Sequence, residues 1–152
     1  MAGDNNKILT PLEELLGEKI LKRSSAGGGD DEIPTSSLAT KKQIILYFSA
    51  HWCPPCRGFT PLLSKAYDGY KKKVGDEEKS ETEVIFVSRD SDAEAFAEYH
   101  KEMSFPALPF DANLASTLVK AFGVEGIPSM VAINGKGEAI HENEDSIDFC
   151  SI

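Results

Sequence analysis

The chain has 152 residues, of which 41% are hydrophobic, and it carries a net charge of −9. This length predicts one domain, over residues 1–152, with a core of its own. The acidic balance argues against nucleic acid or a membrane as a partner. No stretch approaches the roughly 18 apolar residues of a membrane span. The start shows no basic and apolar signal pattern, so we expect the protein to remain inside the cell.

A short helix and two short strands are predicted before residue 40. Thr10 and Pro11 suit an N-cap and a first helical position, which predicts a helix over residues 12–16. Residues 19–22 are typical of an edge strand, and a loop with three consecutive glycines leads to a returning strand at 32–33. These elements predict an N-terminal hairpin. Flexibility is expected at about 1–10, 24–31 and 143–152.

The core of the fold is predicted from two continuous β-branched and aromatic runs, residues 43–49 and 83–88. Their composition is typical of strands buried on both faces. Helical patterns follow each run, the first to about residue 73 and the second after Asp92 as N-cap. The order β-α-β-α predicts parallel strands.

The elements after residue 100 are a helix and a hairpin. Residues 114–122 have a helical pattern that ends at Gly123. Strands at 129–133 and 138–141 flank an Asn-Gly turn, which predicts an antiparallel pair. For the long helix after the first buried strand, the expected buried face consists of Phe59, Leu62, Leu63, Ala66, Tyr67 and Tyr70.

The motif Trp52-Cys53-Pro54-Pro55-Cys56 lies where the first buried strand runs into its helix. With Cys53 at the N-cap and Cys56 at the third helical position, both sulfurs lie on one side of the first turn. We expect Cys53 to face solvent, and the helix N-terminus to lower its pKa, so that it becomes the attacking thiolate. Cys56 faces the protein and resolves the mixed disulfide.

The two prolines limit how far the thiolate is stabilised. Pro54 and Pro55 have no backbone N–H, so the N–H of Cys56 is the main local donor to a Cys53 thiolate. Weak stabilisation predicts a reducing pair, nearer to about −270 mV than to about −120 mV.

The cysteines and histidines also have alternative interpretations. The pair fits ordinary buried thiols poorly because of its spacing and context. Three cysteines and three histidines, without a second tight pair, do not indicate a zinc site, so no metal is predicted. His51 is either a proton shuttle or, as we expect, a solvated loop residue. His100 and His141 are expected at the surface.

Four segments carry a resemblance to a known family. Residues 47–61, read with Gly126-Ile127-Pro128 and the order of elements, resemble the tryparedoxin and nucleoredoxin branch of the thioredoxin-like proteins. Residues 12–19 and 86–90 are similar to the nucleoredoxins. The resemblance implies an α/β thioredoxin-like fold, with a central mixed sheet flanked by helices and the N-terminal hairpin as an extension.

The resemblance also implies an activity. It is that of a cytosolic or nuclear thiol-disulfide oxidoreductase without a bound cofactor, whose Cys53–Cys56 disulfide is reduced by an external dithiol or reductase. In nucleoredoxins this activity serves redox control of signalling proteins. We therefore predict a protein-disulfide reductase, the alternative being a redox-switched binding module with little turnover.

The resemblance assigns further residues to the site. Pro128 matches the cis-proline of the family, which leaves the backbone of Ile127 free to pair with a substrate strand. Trp52, Pro54 and Pro55 are expected to contact the substrate, with core packing as the alternative for Trp52.

The chain also departs from the family pattern. Tyr47 stands where classical thioredoxins have a buried carboxylate, so proton transfer from Cys56 is expected to depend on water or on the Tyr47 hydroxyl. Ser104-Phe105-Pro106 replaces the usual Pro-Trp-Leu of a loop expected to face the substrate. Cys150 is either a free thiol or the bridge of a homodimer.

Overall fold

The computed structural model describes residues 8–23, 30–75 and 80–140. His141, Cys150 and most of the segments expected to be flexible lie outside these ranges. Asp30 and Asp31, expected in the loop, belong to a strand. In chain order the helices and strands are α1 (Pro11–Leu16), β1 (Lys19–Arg23), β2 (Asp30–Pro34), β3 (Gln43–Ser49), α2 (Pro54–Val74), β4 (Thr82–Ser88), α3 (Ala93–His100), α4 (Ala112–Phe122) and β5 (Ser129–Ile133).

The central sheet has the order β4-β3-β5. β3 runs parallel to β4 and antiparallel to β5, and every residue of β3 and β4 is buried, as predicted. Because side chains alternate along a strand, Ile44, Leu46 and Phe48 enter one core with α1 and α4. Ile45 and Tyr47 enter a second core with α2 and α3. The sheet is therefore mixed and covered by helices on both faces.

The N-terminal elements form as their sequence predicts. The Thr10 hydroxyl accepts a hydrogen bond from the Glu13 N–H, and the Glu13 carboxylate accepts one from the Thr10 N–H, which together cap α1. β1 and β2 form an antiparallel hairpin. Leu21 of β1 exchanges two backbone hydrogen bonds with Ala107. The hairpin is thereby tied to the loop after α3.

That loop, residues 104–110, is held by backbone pairing on both sides. The Pro106 carbonyl accepts a hydrogen bond from the Phe86 N–H of β4, and Leu108 donates to the Phe86 carbonyl. Phe105 is fully buried and meets Tyr47 edge-on, with ring centroids 5.9 Å apart. The departure at residues 104–106 thus places its aromatic side chain in the core, and Phe105 does not face a substrate.

Three further predictions need correction. Leu62 is 64% exposed. The buried face of α2 runs through Cys56, Thr60 and Leu63, and at 100° per residue Leu62 lies about 130° around the helix from the centre of that face. His100 is buried, since the last turn of α3 packs its ring against Phe96. The predicted return strand after the Asn-Gly turn is, over residues 138–140, a short segment with one bridge to β5.

Candidate active site

The two cysteines lie where β3 passes into α2. Cys53 is the N-cap, with an extended backbone, and Pro54 and Pro55 occupy the first two helical positions, so Cys56 is the third, as predicted. Prolines fit there because those backbone N–H groups have no partner within a helix. The Cys53 N–H donates to the Ala50 carbonyl at 3.2 Å, which closes the turn before the helix.

Both cysteines are free thiols and both are buried. Cys53 is 6% exposed and Cys56 is not exposed at all. The prediction that Cys53 faces solvent is wrong, because Ile127 packs against the pair together with Ala50. The remaining exposed area belongs to Cys53, which is the only one of the two sulfur-bearing residues that an approaching substrate can reach.

The Cys53 sulfur is directed toward the loop before β5. It lies 3.9 Å from the carbonyl oxygen of Ile127, to which the thiol donates a weak hydrogen bond. It makes no capping hydrogen bond to α2, so the expected bond from the Cys56 N–H is absent in this dithiol state. The Ile127–Pro128 peptide bond is cis, as the resemblance implied.

The surroundings of the Cys56 sulfur disfavour its ionisation. Burial raises the pKa of the Cys56 thiol, and its hydrogen bond with Cys53 raises it further. Hydrogen bonds from the Ser49 side chain and the Ala50 backbone act in the opposite direction, without reversing the shift. Cys56 therefore holds its proton at neutral pH, which leaves Cys53 as the candidate nucleophile.

Trp52, Pro54 and Pro55 form the exposed surface beside Cys53. Trp52 is 60% exposed, so the core alternative for its side chain is wrong. Its indole N–H donates to the Arg89 carbonyl at 3.1 Å, which fixes the ring orientation at the surface. Both prolines are exposed, and Pro128 is partly buried.

Asp90 supports the turn before Cys53, a role that the sequence did not reveal. It is 4% exposed, and its carboxylate accepts hydrogen bonds from the His51 backbone N–H at 2.8 Å and the Ser88 hydroxyl at 2.7 Å. The Arg89 N–H donates to the Ser49 carbonyl. An aspartate two residues after a buried strand was the available signal, but only pairing of β3 with β4 brings it to His51.

Tyr47 is fully buried and belongs to a group of hydroxyl side chains behind Cys56. Its hydroxyl lies 2.7 Å from the Thr60 hydroxyl, which in turn hydrogen bonds to Tyr99. The Tyr99 hydroxyl lies 2.8 Å from that of Ser49. Burial raises the pKa of Tyr47 and of Tyr99, so both stay protonated at neutral pH and neither acts as a base.

Sequence reasoning missed Ser49, Thr60 and Tyr99. Ser49 shares a strand face with Tyr47, and Thr60 lies one helical turn after Cys56, so two of the three positions follow from periodicity. Tyr99 comes from α3 and required the tertiary structure. His51 stacks on Tyr99, with ring centroids 5.1 Å apart, and is therefore half-buried rather than freely solvated.

Within residues 8–23, 30–75 and 80–140, no group of three or more His, Cys, Asp and Glu side chains could hold a metal ion. Nor does any described helix have the length and apolar character needed to cross a bilayer.

Comparison with known proteins places this geometry in a family. A family model described as Thioredoxin-like matches residues 41–139. Tryparedoxin of Trypanosoma brucei brucei is 44% identical over 110 residues, which cover 72% of each chain. The chain belongs to the thioredoxin-like family. Within that family it falls in the tryparedoxin and nucleoredoxin branch, as the active-site segment indicated.

Two further matches agree with this placement. The chain superposes on the solved structure of tryparedoxin from Trypanosoma brucei with a TM-score of 0.71 and 37% identity, covering 87% of this chain and 85% of that one. The fold is therefore thioredoxin-like. Probable nucleoredoxin 1 of Arabidopsis thaliana is 44% identical over 99 residues, 65% of this chain. The match spans only 16% of the length of that plant protein.

Proposed function

We propose that this thioredoxin-like oxidoreductase reduces disulfides in protein substrates. The proposal rests on the different surroundings of the two cysteines. Cys56 is fully buried and its pKa is raised, whereas Cys53 is the N-cap and is the cysteine of the pair with some exposed surface. This inequality supports one thiol as the nucleophile and the other as the resolving group.

The reaction proceeds in two exchanges. The Cys53 thiolate attacks one sulfur of the substrate disulfide, whose S–S bond breaks and whose second sulfur leaves as a thiolate and takes up a proton. Cys56 then attacks the Cys53 sulfur, so that the Cys53–Cys56 disulfide forms and the substrate leaves with both cysteines reduced. An external dithiol or a reductase restores the two thiols, and no bound cofactor is required.

The surface around Cys53 supports a protein substrate. Trp52 and Pro54 offer exposed apolar contacts beside the sulfur. Ile127 borders the sulfur with its carbonyl and precedes a proline that donates no hydrogen bond, so an extended substrate segment can pair with its backbone. We propose cytosolic or nuclear proteins as substrates, including signalling proteins whose disulfides are regulated.

Insulin reduction tests this function. With excess dithiothreitol, the wild-type protein should accelerate precipitation of the insulin B chain, and Cys53→Ser should abolish the acceleration. Cys150→Ser, which leaves the pair intact, serves as the matched control and should keep the wild-type rate. If the wild type does not exceed the rate with dithiothreitol alone, the proposal is wrong.

A redox-switched binding module is the second candidate. It is favoured by the exposed Trp52, whose orientation is already fixed by Arg89. A partner retained by a Cys53→Ser, Cys56→Ser double variant, without insulin reduction by the wild type, would support it.

The homodimer through Cys150 stays a prediction, since that residue lies outside the described ranges. Non-reducing gels of the wild type and Cys150→Ser test it.

A further inference from the structure

In the resolving step, the buried sulfur of Cys56 must become negatively charged in surroundings that disfavour charge. Burial raises the pKa of this thiol, yet the sulfur must carry negative charge when it attacks the mixed disulfide. Classical thioredoxins place a carboxylate in this region, but here Tyr47 occupies the position. The described part of the chain must therefore favour the thiolate with other groups.

Four hydroxyl side chains form a hydrogen-bonded series behind the sulfur. Tyr47 pairs with Thr60 at 2.7 Å, Thr60 with Tyr99 at 2.5 Å, and Tyr99 with Ser49 at 2.8 Å. Ser49 belongs to the strand that leads into the Cys53–Cys56 turn, and its side chain favours the Cys56 thiolate, since it lowers the pKa of that thiol. All four residues are at most 1% exposed, so water does not compete for these bonds. The four groups come from β3, α2 and α3, which fixes their positions independently.

Each hydroxyl carries one proton and can both donate and accept. All four protons can consequently point along this series toward Cys56. Tyr47 then donates to Thr60, Thr60 to Tyr99, Tyr99 to Ser49, and Ser49 to the sulfur. Hydrogen bonds arranged head to tail polarise one another in a buried setting. Such a series of hydroxyls stabilises a thiolate without a second ionised group nearby.

We propose that Ser49, oriented by Tyr99, Thr60 and Tyr47, is a catalytic residue of the resolving step, in which its hydroxyl donates a hydrogen bond to the Cys56 thiolate. The inference rests on the proposed function. In the step itself, the Cys53–substrate bond breaks as the Cys53–Cys56 bond forms. The electron pair leaves with the substrate sulfur, which takes up the proton that Cys56 has released.

The titratable groups near Cys56 do not offer a simpler account. Cys53 lies on the same helix start and raises the pKa of Cys56. Tyr47 from β3 and Tyr99 from α3 are protonated at neutral pH because burial raises their pKa. The more distant charged or titratable groups of the site are His51, which stacks on Tyr99, Asp90, which binds the His51 backbone, and the exposed Arg57.

Stopped-flow reaction with 5,5′-dithiobis(2-nitrobenzoate) separates the two exchanges. In a Cys150→Ser background, the first release of the yellow thiolate reports attack by Cys53 and depends on reagent concentration. The second reports resolution by Cys56 and does not. Losing a hydrogen bond to a charged sulfur disfavours the thiolate, so Ser49→Ala should slow the second release about tenfold at pH 7. Its pH midpoint should rise by about one unit, and the first release should be unchanged.

Two variants complete the test. Ser64→Ala removes a different buried serine hydroxyl, which lies in α2 and has no hydrogen-bond partner among the described residues, and it should leave both releases as in the wild type. Tyr99→Phe keeps the ring and should slow the second release less than Ser49→Ala, and it carries the test if Ser49→Ala does not fold.

The outcomes separate the inference from the proposed function. A second release whose rate and pH midpoint are unchanged in Ser49→Ala overturns the inference alone. An equal slowing of both releases, or the same shift in Ser64→Ala, also overturns it, because either indicates a structural effect. The absence of a second release in the wild type contradicts the proposed function itself.

Discussion

Asp90 should contribute more to stability than any other single carboxylate at the active-site turn. Asp90→Ala removes the acceptors of two hydrogen bonds, from the His51 N–H and the Ser88 hydroxyl, and leaves both donors in a buried setting. Hydrogen bonds to charged groups contribute about 1.5–3 kcal/mol each, and the two share one side chain, so we expect a loss of about 3 kcal/mol. For a chain of this length that corresponds to a fall in Tm of about 6–12 °C.

Thermal unfolding of the reduced protein, followed by circular dichroism, measures this loss. Asp92→Ala is the matched control, because Asp92 is an exposed aspartate that caps α3 through the Ala95 N–H. Its loss should cost about 1 kcal/mol and leave the exchange rate unchanged. Asp90→Ala should slow exchange as well, since the turn before Cys53 loses its support. If Asp90→Ala is no less stable than Asp92→Ala, the two hydrogen bonds of Asp90 do not stabilise the turn as proposed.

Three further predictions follow from the site. Iodoacetamide at pH 7 should label Cys53 well before Cys56, because burial raises the pKa of Cys56, and peptide mass spectrometry that finds Cys56 labelled first would reverse the two roles. Since the pKa of Tyr47 is raised by burial, its contribution to stability is present below the ordinary tyrosine value of about 10 and is lost as the pH rises above it. Above pH 10, the unfolding free energy of Tyr47→Phe should therefore fall less steeply with pH than that of the wild type, by about 1.4 kcal/mol per pH unit. Urea unfolding over this pH range measures the difference, and an equally steep fall in both proteins would contradict it. Trp52→Ala should change the unfolding free energy by no more than about 1 kcal/mol, because the ring is mostly exposed, yet raise KM for insulin; an unchanged KM would exclude a docking role.

Much of the fold was predictable because its signals are local. The buried strands β3 and β4 are continuous apolar runs, and the caps of α1 and α3 are Thr10 and Asp92. The positions of Cys53 and Cys56 at the start of α2 also follow from spacing and from the two prolines. These features depend on backbone geometry within a few residues, which periodicity and capping rules describe directly.

The errors concern contacts between segments distant in sequence. Cys53 is covered because Ile127, 74 residues later, packs against it. His100 is buried because the end of α3 meets the aromatic core of the sheet. The partners of Ser49 and His51 come from α3 and the end of β4. Burial at such positions depends on how the elements pack, which no local pattern reveals.

In the proposed reaction, Cys53 attacks and Cys56 resolves. The most direct measurement is the intact mass of Cys56→Ser, in a Cys150→Ser background, after reaction with insulin. We expect a covalent insulin-chain adduct that maps to Cys53 and is released by dithiothreitol, whereas the protein with both cysteines of the pair should accumulate no adduct. An adduct absent from Cys56→Ser but present in Cys53→Ser would contradict the assignment.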